Sequence, residues 1–463
     1  MNISWHSDYD YMKVFRRMNP PRVVIDNEAN QNATVVKVDG AQKYRMLLEL
    51  LQALTDLNLI IKKAYISSDG EWFMDVFNVT GRDGKKLRDS ITINVIGDYI
   101  RKSLGADSWF HHPTWLRYMD AALSTDCTSI ELTGTDRPGL LSEVSAVLTD
   151  LKCNIVNAEV WTHNTRAAAV IHVTDESAGS AITDPERISK IKELLYTVLM
   201  ASDKVHGAKV AVSGEITHIK RRLHQMMSAD QAYERSDKDL SDVNVRPSVT
   251  VINCYDKDYS VVTVRCKDRP KLLFDIVCTL TDMKYIVFHG NVDAESPEVY
   301  QELYIRHADG SPVNSEAERQ QVIQFIEAAI ERRVSEGLKL ELCTSDRLGL
   351  LADVTRIFRE NSLTITRAEI STRAGQAIET FSVCDATGNT VDAKTIDFIC
   401  QLIGHTNLRV KHYSKYPTPS LPQDPPVTAY HETRALPEVH PRPFIRTISW
   451  NSVVNCVYSP PSL

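Results

Sequence analysis

Residues 135–148 read Thr135-Asp136-Arg137-Pro138-Gly139-Leu140-Leu141-Ser142-Glu143-Val144-Ser145-Ala146-Val147-Leu148, and beyond the glycine the run has a helical beat. Leu141, Val144, Leu148 and Leu151 return every three or four residues, on one face of an amphipathic helix. The beat recurs in Leu47, Leu50, Leu54 and Leu57, in Leu273, Ile276, Leu280 and Met283, and in Leu351, Val354 and Phe358. Carboxylates fall at one place in all four segments, at Glu49, Glu143, Asp275 and Asp353. Leu-Thr-Asp repeats at Leu54, Leu148 and Leu280, with Phe358-Arg359-Glu360 in the fourth segment. Such self-similarity fixes an architecture before any single motif is read.

Outward from each helix the pattern is also shared. A β-rich run precedes it at 33–38, 128–132, 260–265 and 338–342, and another follows at 59–66, 155–161, 286–292 and 363–370. A third strand is expected at 72–79, 167–173, 300–306 and 378–383, then a second helix at 91–104, 185–200, 316–333 and 393–403. Asp184-Pro185 reads as a helix cap followed by a first-turn proline. The order predicts an α+β chain of four tandem ferredoxin-like (βαββαβ) modules, each an antiparallel sheet with two helices on one face.

The expected boundaries are an N-terminal segment 1–33, modules at 34–112, 126–212, 260–336 and 338–414, a helical and charged linker 213–259, and a Pro-rich tail 415–463 that is extended or disordered. Closing strands are expected at 209–212 and 408–411, and at 108–115 for copy one. Copy three has little sequence left for one, so its last strand is missing or borrowed and leaves an edge for docking. Modules on the same side of the linker are expected to pair side by side, one with two and three with four.

The turn that opens the helix carries the strongest local chemistry. Asp136 reads as a cap, Pro138 suits the first turn, and Gly139 permits a backbone geometry or close approach that a β-carbon would obstruct. Free N–H groups and the positive dipole end suit a carboxylate. Seen once, this is a good turn and nothing more. It returns as Ser345-Asp346-Arg347-Leu348-Gly349-Leu350-Leu351 and, with lysine for glycine, as Lys267-Asp268-Arg269-Pro270-Lys271-Leu272-Leu273.

At these residues the chain resembles the ACT domain family, whose hallmark is such a turn opening the first helix of a ferredoxin-like fold. Four copies over most of the chain resemble the plant ACT domain repeat proteins, themselves similar to the C-terminal ACT pair of the bacterial glutamine-sensing uridylyltransferase. The resemblance implies a non-catalytic regulatory protein whose modules pair within the chain or in a homodimer. It implies an amino acid ligand, glutamine or another small one, bound at the interface by the first loop and the start of the second strand. Carried onto this chain, those positions are Asp136, Arg137, Pro138, Gly139 and Leu140 with Asn157, and Asp346, Arg347, Gly349 and Leu350 with Arg367. Lys63 and His289 correspond in the other copies. Copy one reads Ala41-Gln42-Lys43-Tyr44-Arg45-Met46 and copy three has Lys271 in place of glycine, so both are expected to be scaffolding.

Composition narrows the alternatives. No apolar run approaches the about 18 residues of a membrane helix, and a net charge of −7 disfavours polyanions. Neither membrane nor nucleic acid is an expected partner. The aromatics of 71–77 lack the Lys/Arg-Gly-aromatic pattern of RNA-recognition strands. No P-loop, G-x-G-x-x-G, G-x-S-x-G or triad pattern occurs, and His111-His112 has no second ligand cluster, so no enzyme activity, cofactor or metal is expected. The nine cysteines are odd in number and never form C-x-x-C, which reads as reduced thiols. With an N-terminus unlike a signal peptide, the expectation is a cytoplasmic protein. Lys220-Arg221-Arg222 suggests nuclear import or, more simply, a solvated helix face. Two functional readings remain: an amino acid sensor, and a ligand-independent scaffold for an unknown protein partner such as an enzyme or transcription factor.

Overall fold

The computed structural model describes residues 18–41, 45–105, 126–201, 207–214, 218–228, 247–333 and 337–411. The expected strand at 108–115, the His111-His112 pair and the Pro-rich tail lie outside these residues. Copy one comprises β1 (Arg22–Asp26), β2 (Thr34–Ala41), α1 (Met46–Asp56), β3 (Ile60–Asp69), β4 (Trp72–Thr80) and α2 (Ser90–Leu104). Copy two comprises β5 (Thr128–Thr135), α3 (Leu140–Asp150), β6 (Cys153–His163), β7 (Arg166–Asp175), α4 (Pro185–Met200) and β8 (Lys209–Ser213), and a helix α5 (Ile219–Ser228) follows. Copy three comprises β9 (Ser248–Cys254), β10 (Tyr259–Lys267), α6 (Leu272–Asp282), β11 (Tyr285–Asp293), β12 (Glu298–His307) and α7 (Glu316–Glu331). Copy four comprises β13 (Leu338–Ser345), α8 (Leu350–Glu360), β14 (Leu363–Arg373), β15 (Gln376–Asp385), α9 (Ala393–Ile403) and β16 (Leu408–Val410). The chain is α+β, and its modules are ferredoxin-like plaits.

The pairing differs from the expectation. Copy one joins copy three in an eight-stranded sheet ordered β1-β2-β4-β3-β11-β12-β10-β9, and copy two joins copy four in β16-β13-β15-β14-β6-β7-β5-β8. Each union runs through the second strands, β3 against β11 and β6 against β14, both antiparallel. The pairs therefore cross the linker instead of lying on either side of it. Chain order cannot reveal this, because any two copies offer the same second-strand edge. Each pair shares one continuous core: Leu50, Phe77 and Ile100 lie with Ile276, Leu303 and Ile326, and Ile130, Leu148 and Ile191 lie with Leu340, Phe358 and Phe381.

Copies two and four close with a C-terminal strand, as expected. Copies one and three instead place a preceding strand, β1 or β9, beside their first strand. The borrowed edge of copy three is thus filled by Ser248–Cys254, within the stretch expected to be linker. Helix α5 buries Leu223, Met226 and Met227 against Trp161, Ala168 and Val170 on the outer face of the second sheet. At about 1.5–3 kcal/mol for each fully buried large apolar side chain, this contact is a substantial tie. Lys220 lies 3.7 Å from Glu159, and Arg222 makes two 2.7 Å bonds to Glu131, so two of the three basic side chains are engaged by carboxylates of that sheet. Among the described residues no helix is long and apolar enough to cross a membrane.

Candidate functional site

The two classes of helix begin in opposite ways. Every second helix is capped by a side chain: Asp89 on α2, Asp184 on α4, Ser315 on α7 and Asp392 on α9 accept from first-turn N–H groups. Every first helix starts after a residue in the left-handed region, Arg45 (φ 70°), Gly139 (81°), Lys271 (68°) or Gly349 (79°), with no side-chain cap. Asp136 is therefore not the helix cap that its position suggested. Its N–H donates to the Thr165 carbonyl at 2.7 Å, and burial pushes its carboxyl up to about 6 against the hydrogen bonds from Arg137 and Thr162. In copies two and four the first N–H, of Leu140 or Leu350, donates to the carbonyl of Arg137 or Arg347 at 3.2 or 3.1 Å, and no side chain caps the N–H groups that follow.

The turns of copies two, three and four each border a cleft completed by the partner module. In copy two, Asp136, Arg137, Gly139 and Leu140 face Thr355 and Arg359 of α8 and Leu363 and Ile365 of β14 around a cavity of about 40 Å³. In copy four, Asp346, Arg347, Gly349 and Leu350 face Thr149 of α3 and Cys153, Asn154 and Ile155 of β6 around about 20 Å³. Copy three's turn, with Lys271, borders a third cavity of about 30 Å³ against Leu54, Thr55 and Ile60 of copy one. The glycines are close-packed as well as left-handed. A β-carbon on Gly139 would stand 2.6 Å from Arg359 Cδ, and one on Gly349 would stand 3.1 Å from Thr149 Cγ2. Lys271 sends its side chain out of the turn toward Glu369, with Nζ 3.9 Å from the carboxylate.

The arginine of each turn folds back onto its own helix. Arg137 forms a two-pronged contact with Glu143, with Nη1 2.8 Å from Oε1, and Arg269 and Arg347 reach Asp275 and Asp353 at 2.6 Å. In copies two, three and four the carboxylate repeated in the sequence is thereby explained as the anchor of the turn. Pro138 is exposed beside the copy-two cleft.

Asn157 and Arg367 are not brought to either cleft. All four second strands carry a bulge just before this position, at Ile61/Lys63, Ile155/Asn157, Val287/His289 and Ile365/Arg367. Strand alternation beyond the bulge turns Lys63, Asn157, His289 and Arg367 onto the face away from the helices. The second-strand residues that do reach the clefts include Ile155 and Ile365, before the bulge on the partner's strand, and inward residues beyond it on the module's own strand, Val160 and Thr162 or Ile370 and Thr372. Arg367 instead bonds Glu159 at 2.5 Å and Glu369 at 3.2 Å and lies over the Trp161 ring.

That outer face holds a buried ionic layer between the two pairs. Glu159 and Glu369 are directly opposed across the β6–β14 junction, a repulsive arrangement that Arg367, Lys220 and Lys271 relieve. Burial opposes the charge on Glu159, yet these cations bring its carboxyl down to about 2. On the copy-three side, Asp275 takes Arg269 at 2.6 Å, His224 of α5 at 2.8 Å and Arg333 at 3.3 Å. Burial lowers His224 to about 4, so at neutral pH it is an uncharged member of the layer. Among the described residues no group of three His, Cys, Asp or Glu side chains could hold a metal ion.

Comparison with known proteins adds to this geometry. A model of the ACR family N-terminal ACT domain matches residues 29–111, an ACT domain model matches 128–188, and an ACR9-like, ACT-like domain model matches 248–336. The ACT domain-containing protein ACR4 of Arabidopsis thaliana is 62% identical over 416 residues, covering 89% of this chain and 91% of that protein. ACR5 of the same plant is 57% identical over 436 residues, covering 92% and 94%. The bifunctional uridylyltransferase/uridylyl-removing enzyme of Rhodospirillum rubrum is 25% identical over 206 residues, which are 44% of this chain and 20% of that enzyme.

Proposed function

The chain belongs to the ACR family of ACT domain proteins, and from that premise we propose that it is a non-catalytic regulatory protein which binds an amino acid at the clefts between paired modules. The observation that carries this reading is the copy-two cleft. There the uncapped start of α3, the left-handed Gly139 and the guanidinium groups of Arg137 and Arg359 surround one cavity. The uncapped helix start and the Arg359 cation suit a carboxylate, with Arg137 held in place by Glu143. The proposed contacts are Asp136, Arg137, Gly139 and Leu140 in copy two and Asp346, Arg347, Gly349 and Leu350 in copy four.

The cavity of about 40 Å³ has room for a few waters. A whole amino acid requires the module interface to open, and Arg359, exposed beyond its stem, is the side chain that would swing. Because each cleft is built from both modules of a pair, a ligand that prefers the opened arrangement shifts the balance between the two arrangements. The buried ionic layer is the route by which that shift would reach the other pair.

A thermal screen of the common amino acids tests this proposal. A ligand specific to the folded state raises the melting temperature at saturating concentration. A response from one or a few amino acids is expected, and silence from all of them would overturn the reading. The scaffold reading has its own support in the open face of the first sheet, where Tyr65, Asn78, Asn291 and Tyr300 border a groove of about 380 Å³. Silence in the screen would favour it.

A further inference from the structure

One inward position on the third strand differs among the four copies in a way that packing does not require. Asp75, Ala169, Gln301 and Glu379 are equivalents, since strand pairing sets them opposite Val38, Leu132, Val264 and Leu342. All four are buried, in rows whose other inward members are apolar. Alternation predicts an apolar residue here, as in Ala169. Three polar side chains at one core position point to a use other than packing.

Glu379 is the sharpest case. It is 2% exposed, its Oε2 has no hydrogen-bond partner, and it borders the copy-four cleft with Asp346, Thr372, Thr149 and Asn154. A buried carboxyl without a partner is strongly disfavoured, so its retention calls for a group that arrives from outside. The adjoining space of about 20 Å³ holds one water-sized group. An ammonium group has that size. A carboxylate is larger and would meet Glu379 and Asp346, both acidic.

We infer that the copy-four cleft is an ammonium subsite, which takes the protonated amine of a small ligand on Glu379 at its floor and Asp346 beside it. The copy-two cleft has Ala169 at its floor, and its walls carry Asp136, the Glu143-paired Arg137 and Arg359, so Arg359 is the cation left for an anionic group there. The two clefts of one pair thus have opposite preferences. This deepens the reading of the clefts as ligand sites and rests on it for the identity of the whole ligand, while the amine preference is testable separately.

The chemistry is a proton exchange. Burial first, and then the Asp346 charge, raise the Glu379 carboxyl to about 8, so it meets the ligand as the neutral acid. The acid and an ammonium ion become a carboxylate–ammonium pair, and one proton goes to the buffer. The other titratable groups bordering this cleft are Asp346, Arg347 and Cys153, and burial raises the Cys153 thiol. Binding of an amine therefore strengthens as pH rises toward the range where Glu379 ionises unaided.

The test uses the full-length protein with methylammonium, acetate and glycine as probes, in ligand-observed NMR and in calorimetry across buffers of different ionisation enthalpy. Methylammonium is expected to bind the native protein and release a proton, with acetate unable to compete. In Glu379→Gln that binding should fall about tenfold or more, with the proton release gone. Glu379→Ala, which copies the side chain of Ala169, should behave alike and guards against misfolding of the first variant. Methylammonium that does not bind, or binds both variants as tightly as the native protein, overturns the inference. If no common amino acid stabilises the protein while methylammonium still binds through Glu379, the inference stands and the amino acid reading falls. If an amino acid binds and both variants match the native affinity and proton release, the inference alone falls.

Discussion

The clefts of copies two and four occupy the same place in two halves of one pair, and each is framed by an Asp-Arg turn, a left-handed glycine and the partner's second strand. They diverge at two points. Above the glycine stands Arg359 in one and Thr149 in the other, and at the floor Ala169 faces Glu379. The lesson is that duplication preserved the backbone notch, while single side chains set its charge. A frame built from hydrogen bonds and left-handed geometry tolerates such exchanges because neither replaced side chain holds it together.

The largest test of that contrast lies in the floor. The Glu379 carboxyl titrates near 8 in the folded protein and near its ordinary 4.5 when unfolded, so between those values the folded state binds the extra proton. Stability must then fall as pH rises through that window, and Glu379→Gln should remove about 3 kcal/mol of the fall between about pH 5 and pH 8. Denaturant melts at both pH values measure it. Asp75, raised to about 7 by burial, contributes a slope of the same sign from the other pair, so the variant's curve flattens without becoming level. An unchanged slope would mean that Glu379 finds a partner in solution, and the contrast between floors would dissolve.

The next test concerns the glycines. Lys271 shows that the fold accepts a lysine at this left-handed position, so Gly139→Lys should cost only about 1–2 kcal/mol in stability. Ligand affinity at the copy-two cleft should fall about tenfold or more, because the new side chain must displace Arg359 from 2.6 Å. Gly349→Lys should perturb copy two's ligand little, since its β-carbon meets only the Thr149 side chain in the other cleft. Calorimetry with whichever amino acid the screen identifies separates the two. Equal effects from both lysines would break the assignment of distinct clefts.

The smallest effect is expected from the turn arginines. Arg137 makes a two-pronged contact with Glu143 and also reaches the Val198 carbonyl at 3.2 Å, whereas Arg347 is mostly exposed. Arg137→Ala should cost about 1 kcal/mol and Arg347→Ala less than about 0.5 kcal/mol by equilibrium unfolding. The reverse order would show that copy four's turn is the tighter one.

Much of this was legible in the residues. The four amphipathic beats, the strands around them and the Asp-Arg turns name the plait and place its first helices, because each depends on local spacing. Glu143 and Asp353 were visible as repeats, though their task of anchoring the turn arginines was not. Which residues border the clefts is legible only in part. Asn157 and Arg367 were chosen by position on the second strand, and a bulge one residue earlier reverses the face on which they stand. Glu379, which borders the copy-four cleft, is signalled by the row Ala377, Glu379, Phe381, Val383: one charged residue in an otherwise apolar alternation.

The sequence by itself determined that this chain repeats one plait four times and opens three of its first helices with an Asp-Arg turn, since hydrophobic period, turn chemistry and self-similarity are properties of neighbouring residues. Only the tertiary structure decided that copy one marries copy three and copy two marries copy four. The same holds for β1 and β9 pairing beside the first strands of copies one and three, and for the partner's helix end completing each cleft. All of these depend on which of several equivalent edges meet, and that choice rests on contacts among residues far apart in the chain, as in the β3–β11 and β6–β14 junctions.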